Sequence, residues 1–229
     1  MKITLLNCLL LFCLSACNPN THNDASEGTK SAAKVTTAEG KFDLLKIKFN
    51  EPLEETLRNA GLGLSDGKPT VSTLMGYDVF VSSSSQLLHF DGQSLAGKAD
   101  SSENQAVLHY TSDGKIISAF EVQLYTTEAV KKISTSLEKK FGKATFTHDS
   151  AKHPGVAIDM DGNMMDGPRR EIRFQLWKNK DTGISYYLVQ HSISGQLRYA
   201  EFNAINMKDQ DAEKWIRFKA YHIYETSKL

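Results

Sequence analysis

Apolar positions along this chain change their spacing several times, and each change marks the edge of an expected element. Residues 3–16 are apolar apart from Thr4, Asn7 and Ser15, whereas residues 18–40 carry one large apolar residue, Val35. A segment so poor in apolar side chains cannot bury enough surface to order itself, so the globular body is expected to begin near Lys41. Residues 42–49 have the apolar content of a strand. Asn50 and Pro52 then start a short helix that Gly61 stops, with Leu53, Leu57 and Ala60 on its buried side. Residues 71–81 and 87–90, separated by a serine run at 82–85, read as strands, and the Gly, Ser and Asp cluster at 91–104 reads as a loop.

The clearest signal lies at 106–125, where Asp113-Gly114 sits between two β-rich runs and is expected to supply the positive φ angles of a tight hairpin. Ile116, Phe120, Val122 and Leu124 are placed on one face of it. Thr126 or Thr127 then caps a helix with Glu128 in its first turn, in which Val130, Ile133, Leu137 and Phe141 fall 3, 4 and 4 apart and form one apolar stripe. Gly142 ends this helix. Lys131, Lys132, Lys139 and Lys140 lie mainly off the stripe, as on a solvated helix face. Residues 169–177, 184–191 and 197–205 read as three consecutive strands of an antiparallel meander. Asp209 or Asp211 is placed to cap a last helix, although Trp215, Phe218, Tyr221 and Tyr224 also fit a strand. The order of elements predicts one α+β domain over 41–229: a largely antiparallel sheet with two or three helices on one face.

The apolar run at the start follows Lys2 and is too short to span a bilayer, which takes roughly 20 apolar residues. It ends in Leu14-Ser15-Ala16-Cys17. That tetrapeptide resembles the lipobox of bacterial lipoproteins, over the first 17 residues only. The resemblance implies that residues 1–16 are a signal peptide removed before Cys17, that Cys17 carries lipid, and that the protein is held on an envelope membrane. Asn18 after that cysteine, by resemblance to enterobacterial lipoproteins, implies outer-membrane sorting in a Gram-negative source. Cys8 and Cys13 would leave with the signal, so the mature chain would hold no disulfide, thiolate nucleophile or cysteine metal cluster. Residues 17–40 then form a tether with a root-mean-square reach of about 25–30 Å, by the scaling of flexible linkers.

Charge adds one exclusion. The precursor balances 27 Lys plus Arg against 27 Asp plus Glu, and losing Lys2 with the signal leaves 26 against 27. No excess of positive charge steers nucleic acid to the surface.

Local chemistry is sparse. Asp159, Asp161, Asn163 and Asp166 lie close together on a glycine-containing stretch, the kind of oxygen supply that Ca²⁺ takes. The spacing fails as an EF-hand: counting from Asp159, Met164 stands where glycine belongs and Arg170 where the closing glutamate belongs. Turn formation accounts for the same residues. No Gly-x-Ser-x-Gly is present, and His89, His109, His148, His153, His191 and His222 never fall in a zinc-hydrolase spacing. The glycines at 61–67 lack the dinucleotide spacing. Trp177, Tyr187 and Tyr199 are read as a set on the sheet face opposite Ile172, Phe174 and Leu176, where exposed aromatics would anchor a partner or a sugar. A second covered face is the preferred reading, because a sheet crossed by a helix often buries aromatics at its rim.

These observations favour a membrane-anchored, non-enzymatic envelope module that binds a protein or glycan and needs no cofactor. A lipid-anchored hydrolase with a dispersed His/Asp site is the alternative, because catalytic residues need only meet in space. A Ca²⁺-binding envelope protein is another.

Overall fold

The structure is a computed structural model that describes residues 42–71, 76–152, 156–212 and 214–215. The chain divides into two units, Met1–Thr36 and Thr37–Leu229, and every described residue belongs to the second. No helix among the described residues is long and apolar enough to cross a membrane.

Antiparallel sheet dominates. Eight strands are involved: β1 (Lys68–Thr70), β2 (Tyr77–Ser82), β3 (Gln105–Thr111), β4 (Ile117–Leu124), β5 (Phe146–Lys152), β6 (Arg170–Asn179), β7 (Ile184–Ile193) and β8 (Gln196–Asn206). They lie in the order β1-β2-β3-β4-β8-β7-β6-β5, and every neighbouring pair is antiparallel. Two α-helices, α1 (Leu53–Asn59) and α2 (Thr127–Phe141), contribute to one core. Helix α2 carries the chain from β4, in the middle of the sheet, to β5 at its edge. The meander β6-β7-β8 then returns to close against β4.

The hairpin β3-β4 forms where expected, but its turn is built differently. Its positive φ belongs to Lys115 (51°), with Thr111 O accepting the Lys115 N–H at 2.8 Å and the Thr111 N–H reaching Ile116 O at 2.9 Å. Four loop residues let an αL residue close the turn, so Asp113-Gly114 is not the pivot. A register shift at His109/Tyr110 then puts Ile117, rather than Ile116, in the same core as Phe120, Val122 and Leu124.

Helix α2 buries Val130, Ile133 and Leu137 as its periodicity predicts, and Phe141 packs partly against the same core. Gly142, at φ +77°, ends it with an N–H to Glu138 O bond of 2.9 Å. Thr126 is the N-cap, yet its hydroxyl does not cap the helix. It accepts a bond from buried Asn104 instead. The Asn104 amide donates to Leu95 O (2.7 Å) and Thr126 Oγ1 (3.0 Å), and its oxygen accepts the Tyr125 N–H (2.7 Å), pinning the 91–104 loop to the start of α2. Asn104→Ala should therefore lower the unfolding free energy by about 2–3 kcal/mol, since each buried group left unpaired costs roughly 1–3. A urea titration that moved by less than about 0.5 kcal/mol would mean that the loop is not held by this side chain.

Two expectations at the start of the body need correction. Residues 42–49 are not a strand: Leu44–Lys46 is a 3₁₀ turn that buries Leu44 and Ile47, three residues apart, on one side. Buried Asp43 decides this. Its carboxylate accepts the N–H groups of Leu45 (2.9 Å), Asp91 (3.0 Å) and Gly92 (2.6 Å), fastening the turn to a distant loop. Leu87 and Leu88, expected in a strand, lie in a turn from Ser84 and are buried without strand pairing; only His89–Phe90 pairs, with Gln93–Ser94.

Strand β5 escapes the sequence pattern, because Phe146–Lys152 reads FTHDSAK and sits at a sheet edge where alternation is not demanded. The expected last helix begins at Ala212, and Asp209 closes the turn ahead of it: its carboxylate accepts the Asp211 N–H at 2.8 Å. Phe218, Tyr221 and Tyr224 lie outside the described residues. Ala212 and Trp215 pack with Tyr77, Ala119 and Ile205 in a second core, not with α1 and α2. The helical elements are therefore not all on one face. Both faces of the central strands are covered, which explains why β4 is buried at seven of its eight positions.

Candidate functional site

The register of β6 and β7 decides where the aromatic residues go. Residues directly opposite each other in an antiparallel pair share a face, and Leu176 stands opposite Tyr187 while Trp177 stands opposite Tyr186. Trp177 and Tyr187 therefore project to opposite faces and do not form one surface with Tyr199. Trp177 is fully buried in the core beneath α2, with its indole N–H donating to Gly142 O at 3.1 Å. Tyr187 is buried in the second core with Phe174, Leu176 and Val189. Tyr199 alone is exposed, stacked on His191 with ring centroids 4.3 Å apart and planes 13° from parallel. Burial holds the His191 imidazole below its ordinary pKa, so it stays neutral at pH 7.

The aspartate-rich stretch forms a small hairpin in which Val156–Ile158 pairs with Met164–Asp166. Asp159 closes its turn: one carboxylate oxygen accepts the N–H groups of Asp161 (2.9 Å) and Asn163 (2.8 Å), and the other accepts the Asn163 side-chain amide (3.0 Å). The bond from the Asn163 side chain, followed by the backbone N–H bonds, holds the Asp159 carboxyl below its ordinary range. Asp166 pairs with Val156, two residues beyond the Met164–Ile158 pair and so about 7 Å further along the ladder. The turn thus brings Asp159 and Asn163 together. Among the described residues, no group of three or more His, Cys, Asp or Glu side chains is placed to hold a metal ion. Cys17 lies outside the described residues.

A polar cleft of about 510 Å³ opens instead on β5, β6 and β7, lined by Asp149, Ser150, Ala151, Arg169, Glu171, Ile172, Arg173, Gln190 and Ser192. Burial along β6 explains its position. Phe174, Leu176 and Trp177 are buried at one end of the strand, whereas residues 170–173 are exposed or half-buried at the other. Arg173 and Asp149 form a two-pronged pair, Nε to Oδ1 at 2.8 Å and Nη2 to Oδ2 at 3.0 Å, across the β5-β6 ladder that sets them opposite each other. The Arg173 hydrogen bond holds the Asp149 carboxyl below its usual range and raises the guanidinium further. Arg169 pairs with Glu171 at 3.0 Å. Two arginines and two carboxylates cancel, so the lining offers donors and acceptors without net charge.

A second hollow of about 290 Å³ lies against Tyr77, Thr111 and Asp211. Its polar groups are already spoken for by the fold. Tyr77 Oη donates to Asp211 Oδ2 at 2.8 Å, and burial pushes the phenol up to about 12. Ser118 Oγ donates to Asp209 at 2.5 Å. These bonds dock the Ala212 helical turn against the sheet and leave little for a ligand.

The cleft residues were not among those singled out from the sequence, although part of the signal was there. Glu171, Arg173 and Gln175 alternate with Ile172, Phe174 and Leu176, which marks one polar and one apolar face of the strand. Asp149 could not be added, because its partner stands 24 residues away and is reached only through the ladder. Comparison with protein-family models and with curated proteins returns no match, so the functional reading rests on these residues alone.

Proposed function

We propose that this chain is a lipid-anchored envelope lipoprotein whose body is a non-enzymatic module that binds a neutral glycan. Cys17 is the attachment point, membrane contact is made through its lipid, and the outer membrane is the location if the source is Gram-negative. The cleft over β5, β6 and β7 carries the reading of the body. Its lining is rich in planar hydrogen-bonding groups, Arg173, Asp149, Arg169, Glu171 and Gln190, and its charges cancel. A polyhydroxylated, uncharged ligand matches such a surface, because each hydroxyl both donates and accepts. Strongly charged ligands would have to break an existing arginine–carboxylate pair.

The test is titration calorimetry of the full chain in detergent with a soluble N-acetylglucosamine tetramer. We expect binding that Arg173→Ala weakens roughly tenfold, the equivalent of about 1.4 kcal/mol. Stability should change little, since an exposed ion pair contributes only about 0–1 kcal/mol. Acid should not mimic the substitution between pH 7 and 5. The Asp149 carboxyl lies lower than usual in the folded protein, so the pair persists above its ordinary pKa and is lost only as pH falls through the depressed value. Absence of binding, or equal binding by the variant, would remove the glycan reading.

A further inference from the structure

Large apolar side chains exposed one at a time are normal on a folded protein, but clusters of them mark contact surfaces. Eight such residues are exposed among the described residues, and four of them, Ile158, Met160, Met164 and Met165, fall within eight positions of one hairpin. Met160 at the turn is fully exposed, and Met164 retains 81% of its accessible surface. This hairpin is inserted between Lys152 and Arg170, which are paired at the ends of β5 and β6.

We propose that residues 156–166 are a docking element for a protein partner whose contact surface is apolar and rimmed by lysine or arginine. Charge selects that occupant. The stretch holds three aspartates, Asp159, Asp161 and Asp166, and no basic residue, so its apolar side chains are presented within negative charge. Envelope bilayers carry negative surface charge, which repels such a tip, whereas a basic rim on a protein attracts it. Methionine suits the role, because its unbranched and polarizable side chain adapts to irregular apolar pockets. The hairpin is also prefolded. The Asp159 N–H bonds to Asn163 O at 3.0 Å, and the Asp159 carboxylate holds Asp161 and Asn163, so little ordering is left for the moment of binding. The element is separate from the glycan cleft and does not rest on it.

The test places a benzoylphenylalanine photo-crosslinker at Met160 in the full chain, in cells, with Lys139 on the exposed side of α2 as the control position. Mass spectrometry then identifies the crosslinked atoms. Support requires a protein adduct well above the control, on a peptide that carries lysine or arginine among apolar residues. Adding Asp161→Lys, or separately Met164→Ser, should cut its yield about fivefold or more, the effect of losing roughly 1 kcal/mol of complementarity. An adduct to lipid, a protein adduct on a surface without basic residues, a yield unmoved by both substitutions, or a yield equal to the control would each overturn the proposal.

Discussion

Replacing Trp177 by alanine is expected to lower the unfolding free energy by about 3–5 kcal/mol, a large share of what a domain of this size possesses. The indole is fully buried where β6 meets the end of α2, in the core that also holds Tyr186, Leu188 and Leu137. Removing it opens a cavity the size of two rings, because the surrounding strands are fixed by their ladders and cannot close in. The Gly142 carbonyl loses its indole partner as well. Gly142 is where α2 turns toward β5, so the change strikes the connection that brings the edge strand into place. Urea denaturation followed by tryptophan-independent circular dichroism measures the effect. Tyr199→Ala makes a matched control: that ring is 37% exposed and stacked on His191, so its loss should cost less than about 1 kcal/mol. Similar losses from the two substitutions would contradict the burial that separates them.

The second large effect concerns the anchor. If Cys17 is the proposed lipid attachment point, a Cys17→Ala variant is expected to incorporate no fatty acid, to stay at precursor length, and to lose membrane attachment. Each buried methylene contributes about 0.8 kcal/mol to membrane binding, so a chain with several acyl groups leaves a bilayer very slowly and one with none leaves at once. Metabolic labelling with a clickable palmitate analogue reads the lipid, and intact mass reads the cleavage. Normal labelling of the variant, or cleavage at the usual position, would exclude Cys17 as the attachment point. Neither readout depends on the cleft or on the Met160 hairpin, so the anchor and the binding surfaces stand or fall separately.

Several elements were legible because local rules alone specify them. Helix α2 shows a 3,4,4 apolar spacing from Val130 to Phe141 and a glycine stop, and no distant contact is needed to read that stripe. Helix α1 and its stop at Gly61, the β3-β4 hairpin and the β6-β7-β8 meander were equally visible, since alternation and turn residues recur within a few positions. The turn at residues 42–49 was not, because Asp43 is satisfied by Asp91 and Gly92 across the molecule. Nor was edge strand β5, whose pairing with β6 compensates for a weak pattern of its own.

For the functional surfaces, sequence by itself determined which residues were available, and tertiary structure decided which of them meet. Local order puts Asp159, Asp161, Asn163 and Asp166 within eight residues, and the turn joins Asp159 to Asn163. Trp177 and Tyr187 were read together on one sheet face, and strand register buried them on opposite faces. Asp149 and Arg173, which no local pattern links, are brought to 2.8 Å by the same kind of register. The physical reason is the two-residue period of a strand: a shift of one position reverses the face of every side chain, and only the partner strand sets that position.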